Sequence, residues 1–259
     1  MCFDLDSRPP ITPIAGGALD ATRLTLTGAD GSTFSAFRTR AATPTGAGML
    51  VLPDVRGLHA YYEELALRLA EAGIDSLAID YFGRTAGLAP RAGDFEYRPH
   101  VEATTWPNLA DDIRIAIDEL RRDGRVRAIF AVGFCFGGRL ALVAPTLPLG
   151  LAGAIGFYGW PTGPSRNGTP APVEVAGSLA APVLAIFAGA DQGIPPETVR
   201  TCEEALAAAR TATGIEHEVV TYPDAPHSFF DRKAADFVDA SADAWARILA
   251  FVRANAPPA

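Results

Sequence analysis

The sequence predicts an α/β fold, with a mostly parallel central sheet, helices on both faces and an antiparallel hairpin at the N-terminal side. Three observations point there. From Met49 onward, short apolar runs alternate with segments of helical periodicity, as in strands buried on both faces and joined by helical crossovers. Before that, residues 23–26 and 34–39 alternate apolar and polar side chains around Gly28-Ala-Asp-Gly31, the pattern of a β-hairpin. Finally, residues 128–144 run from an apolar strand through Gly133-Phe-Cys-Phe-Gly-Gly138 into an apolar helix.

The elements follow in order. Residues 1–20, with Pro9, Pro10, Pro13, Gly16 and Gly17, read as an extended arm ahead of a single domain spanning 21–259. A Pro/Gly loop at 41–48 leads to a buried strand at 49–52. Residues 62–72 place Leu65, Leu69 and Ala72 on one helical face, and Gly73 stops that helix. A strand at 74–79 is followed by a long irregular stretch, 81–107, rich in Gly, Pro and Arg. Asn108 reads as an N-cap, with Asp111 three residues on, for an amphipathic helix 109–123 carrying Ile113, Ile117 and Leu120. The strand 128–132 and its helix come next, then a strand at 152–158 and a Pro/Gly loop at 160–177. A strand at 183–188, a helix at 197–213 after Pro195-Pro196, a strand at 216–222 and a closing helix at 240–254 complete the pattern.

Composition narrows the function classes. At 259 residues, 49% hydrophobic and 20% charged, the chain suits a globular enzyme. A formal charge of −8 with no Lys/Arg cluster argues against nucleic acid as a partner. Three scattered cysteines (Cys2, Cys135, Cys202) make no disulfide framework, and Cys2 and Cys202 read as incidental. The N-terminal residues lack a basic start and an apolar run, so no secretory leader is expected. The uncharged stretch 140–160 is broken by Pro145, Pro148, Gly150, Gly153 and Gly156, which reads as helix end, loop and buried strand rather than a membrane span. The expectation is a cytoplasmic monomer or weak dimer with no membrane partner. Neither a metal-ligand spacing nor a Gly-rich phosphate loop is present, so no cofactor is expected.

Ligands of such sheets bind beyond the carboxyl ends of the strands. Those ends carry Asp54-Val-Arg-Gly57, Asp80-Tyr-Phe-Gly-Arg84, Cys135, Tyr158-Gly-Trp160, Asp191-Gln192 and His227-Ser-Phe-Phe230. A cysteine in a glycine-rich turn can be a buried small residue. At a strand-turn-helix elbow, however, it is presented at a helix N-terminus, where dipole and free N–H groups favour a thiolate. Gly133 and Gly137 remove the side chains that would collide there. Cys135, Asp191 and His227 follow the order nucleophile, acid, histidine expected of an α/β-hydrolase. In that arrangement His227 takes and returns the proton, and Asp191, which could otherwise simply cap a turn, fixes its tautomer. The backbone N–H groups of Val55 and Phe136 are the candidate oxyanion donors. His59, His100 and His217 do not sit in a loop after a late strand. Phe82, Arg84, Tyr97, Tyr158, Trp160 and Phe229 are the candidate pocket residues.

These residues resemble the dienelactone hydrolases (carboxymethylenebutenolidases), from about Phe34 to the C-terminal helix. The carriers are Gly133-Phe-Cys-Phe-Gly-Gly138, Gly189-Ala-Asp-Gln192 and His227-Ser-Phe229, with Asp54-Val-Arg-Gly-Leu58 and Asp80-Tyr-Phe-Gly-Arg84 as looser pieces. The resemblance implies a Cys135–His227–Asp191 triad that hydrolyses a small lactone or ester through a thioester. Family members carry a glutamate in the first strand-end loop that keeps the resting cysteine neutral and takes its proton once substrate arrives. Asp54, one methylene shorter, stands at that position, and its alternative role is an ion pair with Arg56 or Arg84. Dienelactone-specific members also hold a substrate carboxylate with arginines. One lies four residues after the histidine, where this chain has Asp231 with Arg232 adjacent, and the other corresponds to Arg91 or Arg98. That departure favours a different, neutral and bulkier lactone or ester. Two rival classes are a vestigial hydrolase fold that only binds a small ligand, and thiol redox chemistry, which the absence of a Cys-x-x-Cys partner for Cys135 argues against.

Overall fold

Strands whose every side chain is apolar or small need cover on both faces. The computed structural model describes residues 6–91, 93 and 95–257. In it β3 (Ala47–Leu52), β4 (Asp75–Ile79), β5 (Ala128–Phe134), β6 (Gly153–Phe157) and β7 (Val183–Ala188) are buried at every position. They form the interior of an eight-stranded sheet, with β1 (Ala18–Thr27) and β2 (Thr33–Ala41) at one side and β8 (His217–Tyr222) at the far edge. The strand order is β1-β2-β4-β3-β5-β6-β7-β8. β3 to β8 run parallel, whereas β1 pairs antiparallel with β2 and β2 antiparallel with β4. This is the α/β-hydrolase arrangement, with the hairpin expected from residues 23–39 as its antiparallel pair.

The helices are α1 (Ala60–Glu71), α2 (Gly83–Ala86), α3 (Tyr97–Glu102), α4 (Trp106–Arg121), α5 (Phe136–Val143), α6 (Pro172–Val175), α7 (Pro196–Thr213) and α8 (Val238–Asn255). β3 shows how the sheet divides the core. Met49 and Val51 pack with Leu65 and Leu69 of α1 on one side. Leu50 and Leu52 pack with Ile113 and Ile117 of α4 on the other. Among the described residues no helix is long and apolar enough to cross a membrane.

Three expectations change. The helix expected to start after Asn108 starts at Trp106, because Pro107 in its first turn needs no hydrogen-bonding N–H, and no side chain caps it. The 81–107 and 160–177 stretches are not wholly irregular, since α2 and α3 lie in the first and α6 in the second. β1 begins at Ala18, inside the expected arm, and residues 11 and 14 are tied down: Ile11 packs on the core and Ile14 N–H donates to the Glu71 carboxylate at 2.9 Å. Residues 1–5 of that arm, Cys2 included, lie outside the described residues.

Candidate active site

The end of β5 carries the site's most unusual backbone. Cys135 has φ 54° and ψ −109°, a conformation that costs an L residue on the order of 1–3 kcal/mol. Surrounding bonds enforce it. Cys135 N–H donates to Phe157 O at 3.0 Å, Gly137 N–H to Pro53 O at 3.1 Å, and Arg139 N–H to Cys135 O at 3.2 Å. A Cβ at Gly133 would stand 1.9 Å from Gly137 O, and one at Gly137 would stand 2.1 Å from Leu52 O, so the elbow closes only with glycine at both. Among the described non-glycine residues, positive φ occurs at Cys135, Tyr158 and Ser228. All three lie on the strand-end segments of this site.

The loop after β8 brings His227 to Asp191, which follows β7. His227 Nδ1 lies 2.5 Å from Asp191 Oδ2, and Asp191 Oδ1 accepts from Gly193 N–H at 2.8 Å. Burial pushes the Asp191 carboxyl up, but the His227 hydrogen bond and charge and the backbone N–H groups outweigh it and hold the group below the ordinary carboxylate range. The aspartate is thus an anion that accepts from Nδ1. Nε2 is buried and has no hydrogen-bond partner among the described residues. The rings of Tyr158 and Trp160, centred 4.9 and 5.2 Å away, hold the imidazole in place, and Trp160 Nε1 donates to Gly193 O at 3.0 Å.

A cavity of about 290 Å³ opens over Cys135, lined by Val55, Tyr97, Cys135, Phe136, Arg139, Leu140, Trp160, Pro164, Ser165 and Thr169. Asp191 and His227 are not in this lining; His227 reaches it through the Trp160 ring, and the larger clefts at the β8–α8 side include none of the three residues. Phe136 is the first residue of α5, so its N–H has no helical acceptor, and it faces the same space as Val55.

Of the six residues expected to line the pocket, Tyr97 and Trp160 do so. Tyr158 is buried behind it, against His227. Phe82 and Phe229 turn into the core, since strand-end aromatics here fill the gaps beneath the loops. Arg84 points away, to Asp112 at 2.6 Å and Asp30 at 2.8 Å. Arg91 is likewise committed to Asp80 at 2.6 Å, and Arg98 is exposed.

Asp54 is also occupied. Its Oδ1 accepts from Arg56 N–H at 2.8 Å, both oxygens accept from Arg56 Nε at 3.1 Å, and Oδ2 accepts from Arg56 Nη2 at 2.8 Å. Arg56 Nη2 also pairs with Asp231 Oδ2, Arg56 Nη1 meets Ser7 Oγ at 3.2 Å, and the guanidinium lies 5.5 Å from the ring centres of Tyr61 and Tyr62. The cavity wall includes Val55 but not Asp54, whose carboxylate is ion-paired with Arg56. Burial is the main reason that the Asp231 carboxyl is pushed up to about 6; nearby Asp54 adds to it, while Arg56 and Ser7 oppose it.

Sequence reasoning missed Arg139. The signal was available: a single charge in an otherwise apolar helix, Phe136-Gly-Gly-Arg-Leu-Ala-Leu-Val143, must find buried partners.

Known proteins share this fold and much of this sequence. The profile of the dienelactone hydrolase family matches residues 37–255. A provisionally named carboxymethylenebutenolidase of Escherichia coli O157:H7 is 31% identical over 216 residues, covering 78% of this chain and 74% of that protein. Among solved structures, a provisionally named dienelactone hydrolase of Klebsiella pneumoniae subsp. pneumoniae is 27% identical with a TM-score of 0.75, covering 90% of this chain and 99% of that one. A dienelactone hydrolase-like promiscuous phosphotriesterase from metagenomic libraries superposes with a TM-score of 0.71 at 21% identity, covering 91% and 98%, a likeness of fold.

Proposed function

The chain belongs to the dienelactone hydrolase family, and on that premise we propose that it hydrolyses a neutral, bulky lactone or ester through a thioester on Cys135. The observation that carries the reading is the strained elbow of Cys135, opening on a cavity whose wall includes Trp160, the ring packed against His227 of the His227–Asp191 pair.

In this mechanism His227 Nε2 takes the Sγ proton and the thiolate attacks the carbonyl carbon. The tetrahedral oxyanion accepts from the Val55 and Phe136 N–H groups, each worth on the order of 3–4 kcal/mol. Collapse breaks the bond to the ester or ring oxygen, and the imidazolium returns its proton to that oxygen. Water, deprotonated by the same Nε2, then attacks the thioester carbonyl, releasing the carboxylic acid and the thiol. Asp191 stabilises the imidazolium at each stage.

A neutral substrate fits because the buried arginines near the site are occupied: Arg56 holds two aspartates, and Arg139 donates to five backbone carbonyls. Leu140, Phe136, Trp160 and Pro164 supply apolar wall.

The test is hydrolysis of p-nitrophenyl acetate and a simple enol lactone by wild type and Cys135→Ala, with mass spectrometry of the wild-type protein during turnover. Loss of activity in the variant and an acyl adduct on Cys135 are expected. Full activity in Cys135→Ala sinks the proposal. Asp54's engagement by Arg56 favours one rival reading, a hydrolase fold that only binds its ligand, and inertness toward both substrates with measurable binding would select it.

A further inference from the structure

We propose that Arg139 is a positioning residue that sets specificity for the acyl group by holding the 160–170 loop as the wall and roof of the cavity. The inference rests on the reading of that cavity as the substrate site.

The five N–H bonds of the guanidinium meet five backbone carbonyls of one loop. Nε donates to Pro170 O at 3.2 Å, Nη1 to Trp160 O at 3.3 Å and Thr162 O at 3.2 Å, and Nη2 to Gly163 O at 2.8 Å and Thr169 O at 2.9 Å. Arg139 is mostly buried and makes no ion pair with a carboxylate among the described residues. The carbonyl dipoles therefore stand in for a counter-charge, and a loop without regular structure acquires one fixed shape around a cation. Glycines let the helix come close enough. A Cβ at Gly138 would lie 2.3 Å from Phe157 O, and one at Gly159 would lie 2.3 Å from Arg139 N.

The same loop supplies Trp160, Pro164, Ser165 and Thr169 to the cavity over Cys135. Where those side chains stand is thus decided by the planar fork beneath them. Lysine offers three donors from a single point and cannot span carbonyls set around a plane.

The experiment uses full-length Arg139→Lys and Arg139→Met with p-nitrophenyl acetate and a bulky ester, p-nitrophenyl phenylacetate. The KM of the bulky ester relative to acetate is expected to rise about tenfold in both variants while the ratio of their kcat values stays unchanged, the signature of lost ground-state fit. Tryptic cleavage after Arg166, whose side chain is 86% exposed on this loop, is expected to accelerate at least about tenfold as the loop opens more often. An unchanged KM ratio together with unchanged cleavage in Arg139→Lys overturns the proposal even if Arg139→Met fails to fold. Should wild type turn over neither ester, the hydrolase reading fails separately. Alkylation of Cys135 by iodoacetamide and by its bulkier N-benzyl analogue then reads the cavity, and an unchanged rate ratio in Arg139→Lys overturns the clamp.

Discussion

Asp191 and His227 meet through one 2.5 Å hydrogen bond, and its charge is what the proposed chemistry depends on. Asp191→Asn keeps the shape but replaces an anionic acceptor by a neutral amide, which can donate to Nδ1 and so select the wrong tautomer. Its kcat for an activated ester is expected to fall by about 10²–10⁴-fold with little change in KM. A fall of less than threefold in a steady-state assay would remove Asp191 from the proposed mechanism. Cys135, Asp191 and His227 were legible in the sequence because each follows the carboxyl end of a parallel strand. It did not reveal which way their neighbours point. Phe82, Phe229 and Trp160 look alike as aromatics after strands, yet Phe82 and Phe229 fill the core while Trp160 faces the cavity. Asp54 read as a proton acceptor with an ion pair as its alternative, and the partner, Arg56 rather than Arg84, shows only in the side-chain geometry.

At the scale of elements, the elbow works because two segments touch at glycine. A methyl group at Gly137 would press on the carbonyls of Leu52 and Pro53, so Gly137→Ala is expected to cost more than about 3 kcal/mol, visible as loss of soluble protein or a drop in Tm of roughly 6–12 °C. Gly177→Ala meets nothing within 4 Å and is expected to change stability by no more than about 0.5 kcal/mol, which makes it the control in the same thermal-melt series. Strand and helix alternation was readable because apolar periodicity reports burial directly, and the strand over 183–188 coincides with β7. Boundaries set by backbone chemistry were harder. Asn108 resembled a cap, but Pro107 moves the start of α4 ahead of it. The loops were least legible. Their order comes from scattered polar contacts such as those of Asn167, whose side chain accepts from Ser165 and Thr169 and donates to Thr104 Oγ1 at 3.1 Å. That amide ties the 160–170 loop to the segment bearing Tyr97, so both sides of the cavity are held together.

The whole molecule responds to pH through its buried carboxylates. Asp231, pushed up to about 6, binds a proton more tightly in the folded chain than in the unfolded one, whose carboxyl titrates near 3.9. Folded protein therefore holds the extra proton between about pH 4 and 6, and stability from this group falls as pH rises through that window. Asp231→Asn cannot titrate, so its unfolding free energy minus that of wild type is expected to increase from pH 4 to 6 and then level off, a change on the order of 2–3 kcal/mol that the two Tm values follow. Melts of both proteins across pH 4–8 check this, and a flat difference would contradict it. Asp191 works the other way: its depressed value adds stability above about pH 4, and this is lost as acid protonates it. The strand order carries one more consequence, which concerns synthesis. The cysteine elbow forms from β5 and α5 in the middle of the chain, whereas His227 follows β8, the last strand to leave the ribosome and the outermost in the sheet. A chain stalled or clipped before that strand would own the proposed nucleophile and lack the proposed base. Turnover by the proposed route would thus certify that translation had run through to the final strand.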